Sequence, residues 1–136
     1  MDRRIRRAFL LLIAAQTVHS IEEYWFRLYD LFAPARAVSD ALGIHRPTGF
    51  AITNAALIGF GLWCHARIRR GLPGWRGLAW FWAVIEILNS LAHGALALAA
   101  GGYFPGIATA PLLLAAGLFL ISCLRSAGRR DPVNSP

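Results

Sequence analysis

The chain has 136 residues, of which 57% are hydrophobic and 15% charged, and its formal net charge is +7. This length allows one domain, and a mean hydropathy of +0.49 exceeds what a soluble domain needs to fill its core. The basic excess does not indicate nucleic-acid binding, because all 14 basic residues are Arg and they lie at the ends of apolar runs. The composition therefore predicts an integral membrane protein.

Four apolar runs are long enough to cross the hydrocarbon core of a bilayer, which takes about 20 residues. They cover approximately residues 8–29, 50–66, 77–100 and 105–124. The sequence thus predicts an all-α, four-helix transmembrane bundle that forms a single domain over residues 1–126, followed by a polar C-terminal tail over residues 127–136. A short additional helix is expected within residues 35–44, in the loop after the first run.

The arginines indicate the orientation of these helices, because cytoplasmic loops are enriched in basic residues. Three arginine clusters lie before the first run, between the second and third, and after the fourth: Arg3, Arg4, Arg6 and Arg7; Arg67, Arg69, Arg70 and Arg76; Arg125, Arg129 and Arg130. Four crossings place all three clusters on one side, so both termini are predicted to be cytoplasmic. A cleaved signal peptide is the alternative for the first run, but the apolar pattern continues through Ile21 and Phe26, which favours an intact helix.

Polar residues interrupt two of the runs where hydrocarbon is expected. The first run carries His19, Glu22 and Glu23, and the third carries Glu86, Asn89 and His93. Within each run the spacing places the three side chains on one helical face. At about 1.5 Å per residue, all six lie in a slab about 10 Å thick when both helices run outward. Two facing helices are therefore predicted to form one buried site.

Other polar or aromatic residues are predicted to contact a substrate or to support this site. They are Thr53 and Asn54 of the second run, Thr109 of the fourth, and Tyr24 and Trp25 of the first. An ionised side chain near the bilayer centre costs about 2.5–3.5 kcal/mol on insertion scales. Carboxylates at this depth must face inward and be paired, bound to a cation or protonated, which favours a functional site over accident.

The motif His19-Ser20-Ile21-Glu22-Glu23 resembles the motif that names the HXXEE family of small bacterial membrane proteins. Asn89 and His93 are similar to a second signature of that family, and the resemblance spans residues 10–122. The resemblance implies a multi-helix fold in the bacterial inner membrane and does not imply an activity.

Three functions remain open for the predicted site. In the first, Glu22 or Glu23 donates a proton to a lipid-soluble substrate with His19 or His93 as its partner and Glu86 nearby, as in an isomerase, cyclase or hydratase. In the second, these five residues ligate a divalent or iron-type metal. In the third, the cluster conducts protons in a transporter or ties the bundle together in a structural subunit.

The rest of the sequence indicates which other cofactors and partners are expected. A nucleotide is not expected, because the chain has neither a glycine-rich phosphate loop nor a Rossmann signature. The two cysteines, Cys64 and Cys123, lie far apart and are read as packing residues. The expected partners are the lipid bilayer and a lipid-soluble small molecule. Small residues around Gly59, Gly61 and Gly94 would permit a homodimer.

Overall fold

The computed structural model describes residues 2–129, and every regular element in that range is helical. The six helices are α1 Arg3–Trp25, α2 Leu28–Leu31, α3 Ala33–Leu42, α4 Arg46–Arg70, α5 Trp75–Ala99 and α6 Ala110–Gly128. The all-α prediction is confirmed for this part of the chain. Most of the predicted C-terminal tail, residues 130–136, lies outside the described residues.

Three of the helices, α4, α5 and α6, are long and apolar enough to cross a membrane by length and composition. Helix α1 has 23 residues, enough for a crossing, but it is not among the three. Its hydropathy is lowered by four polar residues that are buried, Gln16, His19, Glu22 and Glu23, whereas Leu11 and Ile21 on the opposite side are exposed. The outer face of α1 is therefore more apolar than its sequence average.

Several helix boundaries differ from the sequence prediction: α1 begins at Arg3 instead of near residue 8, and α4 covers Arg46–Arg70 instead of residues 50–66. Two further differences have identifiable backbone reasons. Helix α1 ends at Trp25 instead of near residue 29, because Arg27 adopts a left-handed conformation with φ 59°. Helix α6 begins at Ala110 rather than near residue 105, because Gly106 has φ 96° and Pro111 lies in the first helical turn. The short helix expected within residues 35–44 is present as α3.

The buried side chains of one half of the molecule are apolar, whereas many of those in the other half are polar. Helix α6 packs against α1 and α5, and α4 packs against α1, α3 and α5. Phe9 and Leu12 of α1, Trp82 of α5 and Leu120 of α6 belong to one buried apolar cluster. The second half of α1 buries polar side chains instead. The candidate site consequently lies toward the C-terminal end of α1.

Arginines from different helices gather at the other end of the molecule. Arg3, Arg6 and Arg7 of α1 line one surface depression together with Arg69 and with His65 of α4. The first turn of α1 and the last turn of α4 are therefore neighbours, as antiparallel helices require.

Candidate functional site

Three side chains converge on one point between α1 and α5. The Nε2 atoms of His19 and His93 lie 3.2 Å apart. Glu23 Oε1 lies 3.4 Å from the Nε2 atom of His19 and 3.1 Å from that of His93. All three residues are buried, with His19 completely enclosed. The three form a compact triangle of potential ligand atoms, hereafter the His-Glu-His cluster.

Helical geometry and a close loop hold this cluster together. His19 and Glu23 are four residues apart on α1, so their side chains lie one above the other on the same face. The loop between α5 and α6 closes over the histidine rings. A Cβ atom built on Gly106 would lie 2.5 Å from His93 Nδ1 and 2.8 Å from His19 Cε1, so no other residue fits there without displacing a ring.

The spacing of the cluster suits a metal ion. Nitrogen and oxygen ligands lie about 2.0–2.2 Å from zinc. If the ligand–metal–ligand angle is between the octahedral and the tetrahedral value, two ligand atoms of one ion are about 2.8–3.6 Å apart. The three ligand atoms of the cluster are separated by 3.1–3.4 Å, within that range. Two imidazoles and one carboxylate are also a donor set used by catalytic zinc and by non-haem iron.

The neighbouring carboxylate, Glu22, lies in a different environment. Its Oε1 accepts hydrogen bonds from the Tyr103 hydroxyl at 2.6 Å and from the backbone N–H groups of Gly106 and Ala108, both at 3.1 Å. Its Oε2 accepts from the Thr109 N–H at 2.8 Å and from the Thr109 hydroxyl at 2.5 Å. Because five donors surround it, Glu22 is an ionised acceptor that anchors the loop to α1.

Thr109 links that carboxylate to the cluster. Its hydroxyl proton is directed to Glu22, so its oxygen is left to accept from His19 Nδ1 at 2.8 Å. Neutral His19 therefore carries its proton on Nδ1 and presents the lone pair of Nε2 to the cluster. Histidine ligands of metals are oriented in this way by a partner on the other ring nitrogen.

Tyr103, in the loop between α5 and α6, supplies one of the five hydrogen bonds to Glu22. Burial and the hydrogen bond to the Glu22 carboxylate raise the pKa of its phenol. The hydroxyl therefore stays protonated as a donor well into the alkaline range.

A cavity of about 590 Å³ adjoins the cluster, and Glu23 lies in its wall. Three of the other predicted site residues, Asn54, Glu86 and Asn89, also line it. Glu86 is buried and interacts with the Asn89 side chain, but its Oε2 has no hydrogen-bond partner among the described residues. Glu86 thus belongs to the cavity and is not one of the three converging ligands.

Three further residues of the predicted site lie away from it. Thr53 is exposed and donates to the Gly49 carbonyl of its own helix at 2.8 Å. Tyr24 and Trp25 are also exposed, and the Tyr24 ring packs against Tyr29. None of these three contacts the cluster.

Several residues of the site were not identified from the sequence. The predicted runs place Tyr103 in the link between the third and fourth runs and Gly106 at the start of the fourth run. The glycines in that segment nevertheless signal an irregular backbone. Gln16 and Ser20 lie on the polar face of α1, and their hydrogen bond of 3.1 Å continues to Asn54 of α4, whose Oδ1 lies 2.6 Å from Ser20 Oγ. The available signal was helical spacing, because Gln16 lies three residues before His19 and Ser20 lies four residues after Gln16.

Together these features define a helical protein with three candidate membrane-spanning helices and a buried histidine–glutamate cluster. Residues 10–120 match the family model described as "Protein of unknown function with HXXEE motif", and the chain belongs to that family. The resemblance predicted from residues 19–23 is confirmed. Comparisons with curated proteins and with solved structures found no match.

Proposed function

We propose that this protein is a membrane-embedded, metal-dependent enzyme that acts on a lipid-soluble substrate. Its metal ligands are His19, Glu23 and His93. The observation that carries this proposal is the separation of 3.1–3.4 Å among the three ligand atoms. Three protein ligands leave positions open on the ion for water or substrate, which is typical of catalytic sites.

The electrostatics of the cluster support a bound cation. Two imidazole nitrogens and a carboxylate oxygen at such distances repel one another unless a proton or a metal ion lies among them. The lone pair of His19 Nε2 is directed to this point by the hydrogen bond of Nδ1 to Thr109. A divalent ion would satisfy all three ligand atoms at once and could polarise a substrate oxygen or lower the pKa of a bound water.

A metal-free acid–base enzyme is the second candidate. The distance of 3.1 Å between His93 Nε2 and Glu23 Oε1 is that of a hydrogen bond, so a proton could be held there instead of an ion. The pair would then serve as acid and base for isomerisation, cyclisation or hydration of an apolar substrate.

The same proposal includes four membrane crossings, with α1 as the first, and location in the bacterial inner membrane. The polar side chains in the middle of α1, such as His19 and Glu23, are buried, while Leu10, Leu11, Val18 and Ile21 are exposed as lipid-facing residues would be. This arrangement keeps the ionisable groups out of hydrocarbon, which would otherwise oppose insertion.

Elemental analysis of the detergent-purified protein tests the metal. We expect one equivalent of zinc, iron or manganese per chain in the wild type. The variants His19→Ala, Glu23→Gln and His93→Ala should lose it, because two ligands bind a divalent ion far more weakly than three.

The matched control is Glu86→Gln, which alters a buried carboxylate outside the cluster and should retain the metal. Circular dichroism and thermal unfolding identify any variant that is not folded. A folded wild-type protein that takes up none of the three metals after repletion would contradict the metal site and favour the acid–base enzyme.

A further inference from the structure

The cavity beside the cluster is built mainly from apolar side chains. Its volume of about 590 Å³ lies within the range of about 300–1,000 Å³ that is common for small-molecule sites. Helices α4 and α5 supply most of the wall, and the segment from Leu28 to Ala35 covers one side.

The cavity opens on the outer surface of the helices. Phe60 of α4 and Phe81, Ile85 and Leu88 of α5 line it, and each of these side chains is also exposed. In a membrane, an opening framed by such residues faces acyl chains. A hydrophobic tail can enter from the side without crossing water.

Polar side chains also line the cavity, and two of their acceptor oxygens have no hydrogen-bond partner among the described residues. Gln16 Oε1 and Glu86 Oε2 both belong to side chains that line the cavity and are more than nine-tenths buried. A buried acceptor without a donor costs about 1–3 kcal/mol. Both oxygens call for a ligand group that donates a hydrogen bond.

The charges of the lining restrict this group further. None of the described residues that line the cavity is Arg, Lys or His, so an anionic head group would meet two carboxylates, Glu23 and Glu86, and no basic side chain. A divalent ion on Glu23 would offset the negative charge of the lining whether or not Glu86 is ionised, so an ammonium group would find no net negative charge to neutralise. A hydroxyl group is uncharged and donates one hydrogen bond, so it meets the charge condition and can satisfy one of the two oxygens.

We propose that the cavity binds a long-chain alcohol, with the hydroxyl at Gln16 and Glu86 and the hydrocarbon tail along the wall of α4 and α5. The proposal deepens the proposed function by naming the substrate class and rests on it for the charge balance. It places the polar end of the substrate beside Glu23 of the cluster.

Photo-crosslinking in phosphatidylcholine nanodiscs tests this assignment. The probe is a long-chain alcohol that carries a diazirine on its chain and a terminal alkyne, and the adducts are located by peptide mass spectrometry. Oleyl alcohol, oleate and oleylamine serve as competitors with equal chain lengths, at an alkaline pH where the acid is ionised. We expect adducts on α4 and α5 and competition by oleyl alcohol that is about tenfold stronger than by oleate.

Two variants of α5 form a matched pair. Ala92→Phe fills the cavity and should abolish the specific adducts, whereas Leu91→Phe alters the adjacent exposed position and should keep them. Glu86→Gln removes an ionisable carboxyl group. It should therefore reduce the factor by which oleyl alcohol competes more strongly than oleate. Equal competition by oleate, stronger competition by oleylamine, or unchanged labelling of Ala92→Phe would overturn the proposal.

The metal content of each sample separates this proposal from the preceding one. Alcohol-specific labelling blocked by Ala92→Phe in a protein that binds no metal would support the cavity and contradict the metal site. A metal-loaded protein with unspecific labelling would support the metal site and contradict the alcohol site.

Discussion

Glu22 and Glu23 are adjacent in the sequence but perform different tasks. One accepts hydrogen bonds from five donors of a loop, and the other faces two histidines. Successive residues of a helix point about 100° apart, so the two carboxylates reach different neighbours. Because its two glutamates diverge, the motif can supply both an anchoring carboxylate and the carboxylate proposed as a metal ligand.

The Thr109 hydroxyl forms hydrogen bonds with both Glu22 and His19. It should therefore affect metal binding at the proposed site without contacting the ion. We expect Thr109→Val to lower metal affinity about 10–100-fold, the usual cost of losing a group that orients a histidine ligand. Thr109→Ser should restore most of the affinity. Competition with a chelator of known affinity measures the change.

Tyr103→Phe is the control for this prediction, because it removes a donor to Glu22 but leaves His19 in place. It should lower stability by about 1 kcal/mol, since its ring is half exposed and water replaces part of the bond. Metal affinity should stay near that of the wild type. If both variants lost affinity equally, the effect would come from the loop as a whole rather than from Thr109.

Gly106 should tolerate no side chain, for a steric and a conformational reason. Its φ of 96° disfavours other residues, and an added Cβ would overlap both histidine rings. We expect Gly106→Ala to lower the melting temperature and to abolish metal binding together. Gly101→Ala has a similar backbone strain, at φ 67°, with nothing within 4 Å of its Cβ, and should retain the metal.

At the scale of elements, the short helix α3 covers one side of the cavity and is held by a close contact with α4. Ser39 of α3 is fully buried against Gly49 of α4, and an added Cβ at Gly49 would lie 3.2 Å from Ser39 Cα. Since that contact involves the backbone of α3, rotation of a side chain cannot relieve it.

Gly49→Ala should therefore displace α3 while leaving the main bundle folded. The expected penalty for overpacking is about 1–3 kcal/mol, confined to the docking of α3. Hydrogen exchange of residues 33–42 should accelerate, and that of the buried part of α5 should not. Gly59→Ala, on the same helix with open space at its Cβ, should leave α3 unchanged.

At the scale of the whole molecule, arginines from the first turn of α1 and the last turn of α4 gather at the end remote from the His-Glu-His cluster. The basic-residue rule predicts that this end is cytoplasmic. That orientation would place the site in the outer half of the membrane, under the loop of residues 101–109.

Cysteine labelling tests this orientation. A cysteine at Gly102, in the loop between α5 and α6, should react with a membrane-impermeant maleimide in intact spheroplasts. A cysteine at Pro73, between α4 and α5, should react only after permeabilisation. The native Cys64 and Cys123 are buried and provide the background. The opposite pattern would invert the topology, and reaction of both sites in intact cells would contradict an odd number of crossings between them.

The sequence by itself determined the helical class, the long apolar helices and a set of candidate residues that contains the three members of the His-Glu-His cluster. Apolar runs and helical periodicity are local properties, so they place His19 and Glu23 on one face of α1, and Glu86 and His93 on one face of α5. The motif also sufficed for the family, because residues 19–23 lie within the matched segment.

Only the tertiary structure decided which of these polar groups meet. The rotation of α1 against α5 brings His93 to Glu23 and leaves Glu86 in the cavity, and periodicity within one helix contains no information on that rotation. Three of the five donors that bind Glu22 are backbone N–H groups of the loop, which every residue but proline possesses. Contacts made by backbone atoms across more than 80 residues of chain leave no pattern in side-chain chemistry, so the anchor of the site became visible only in the fold.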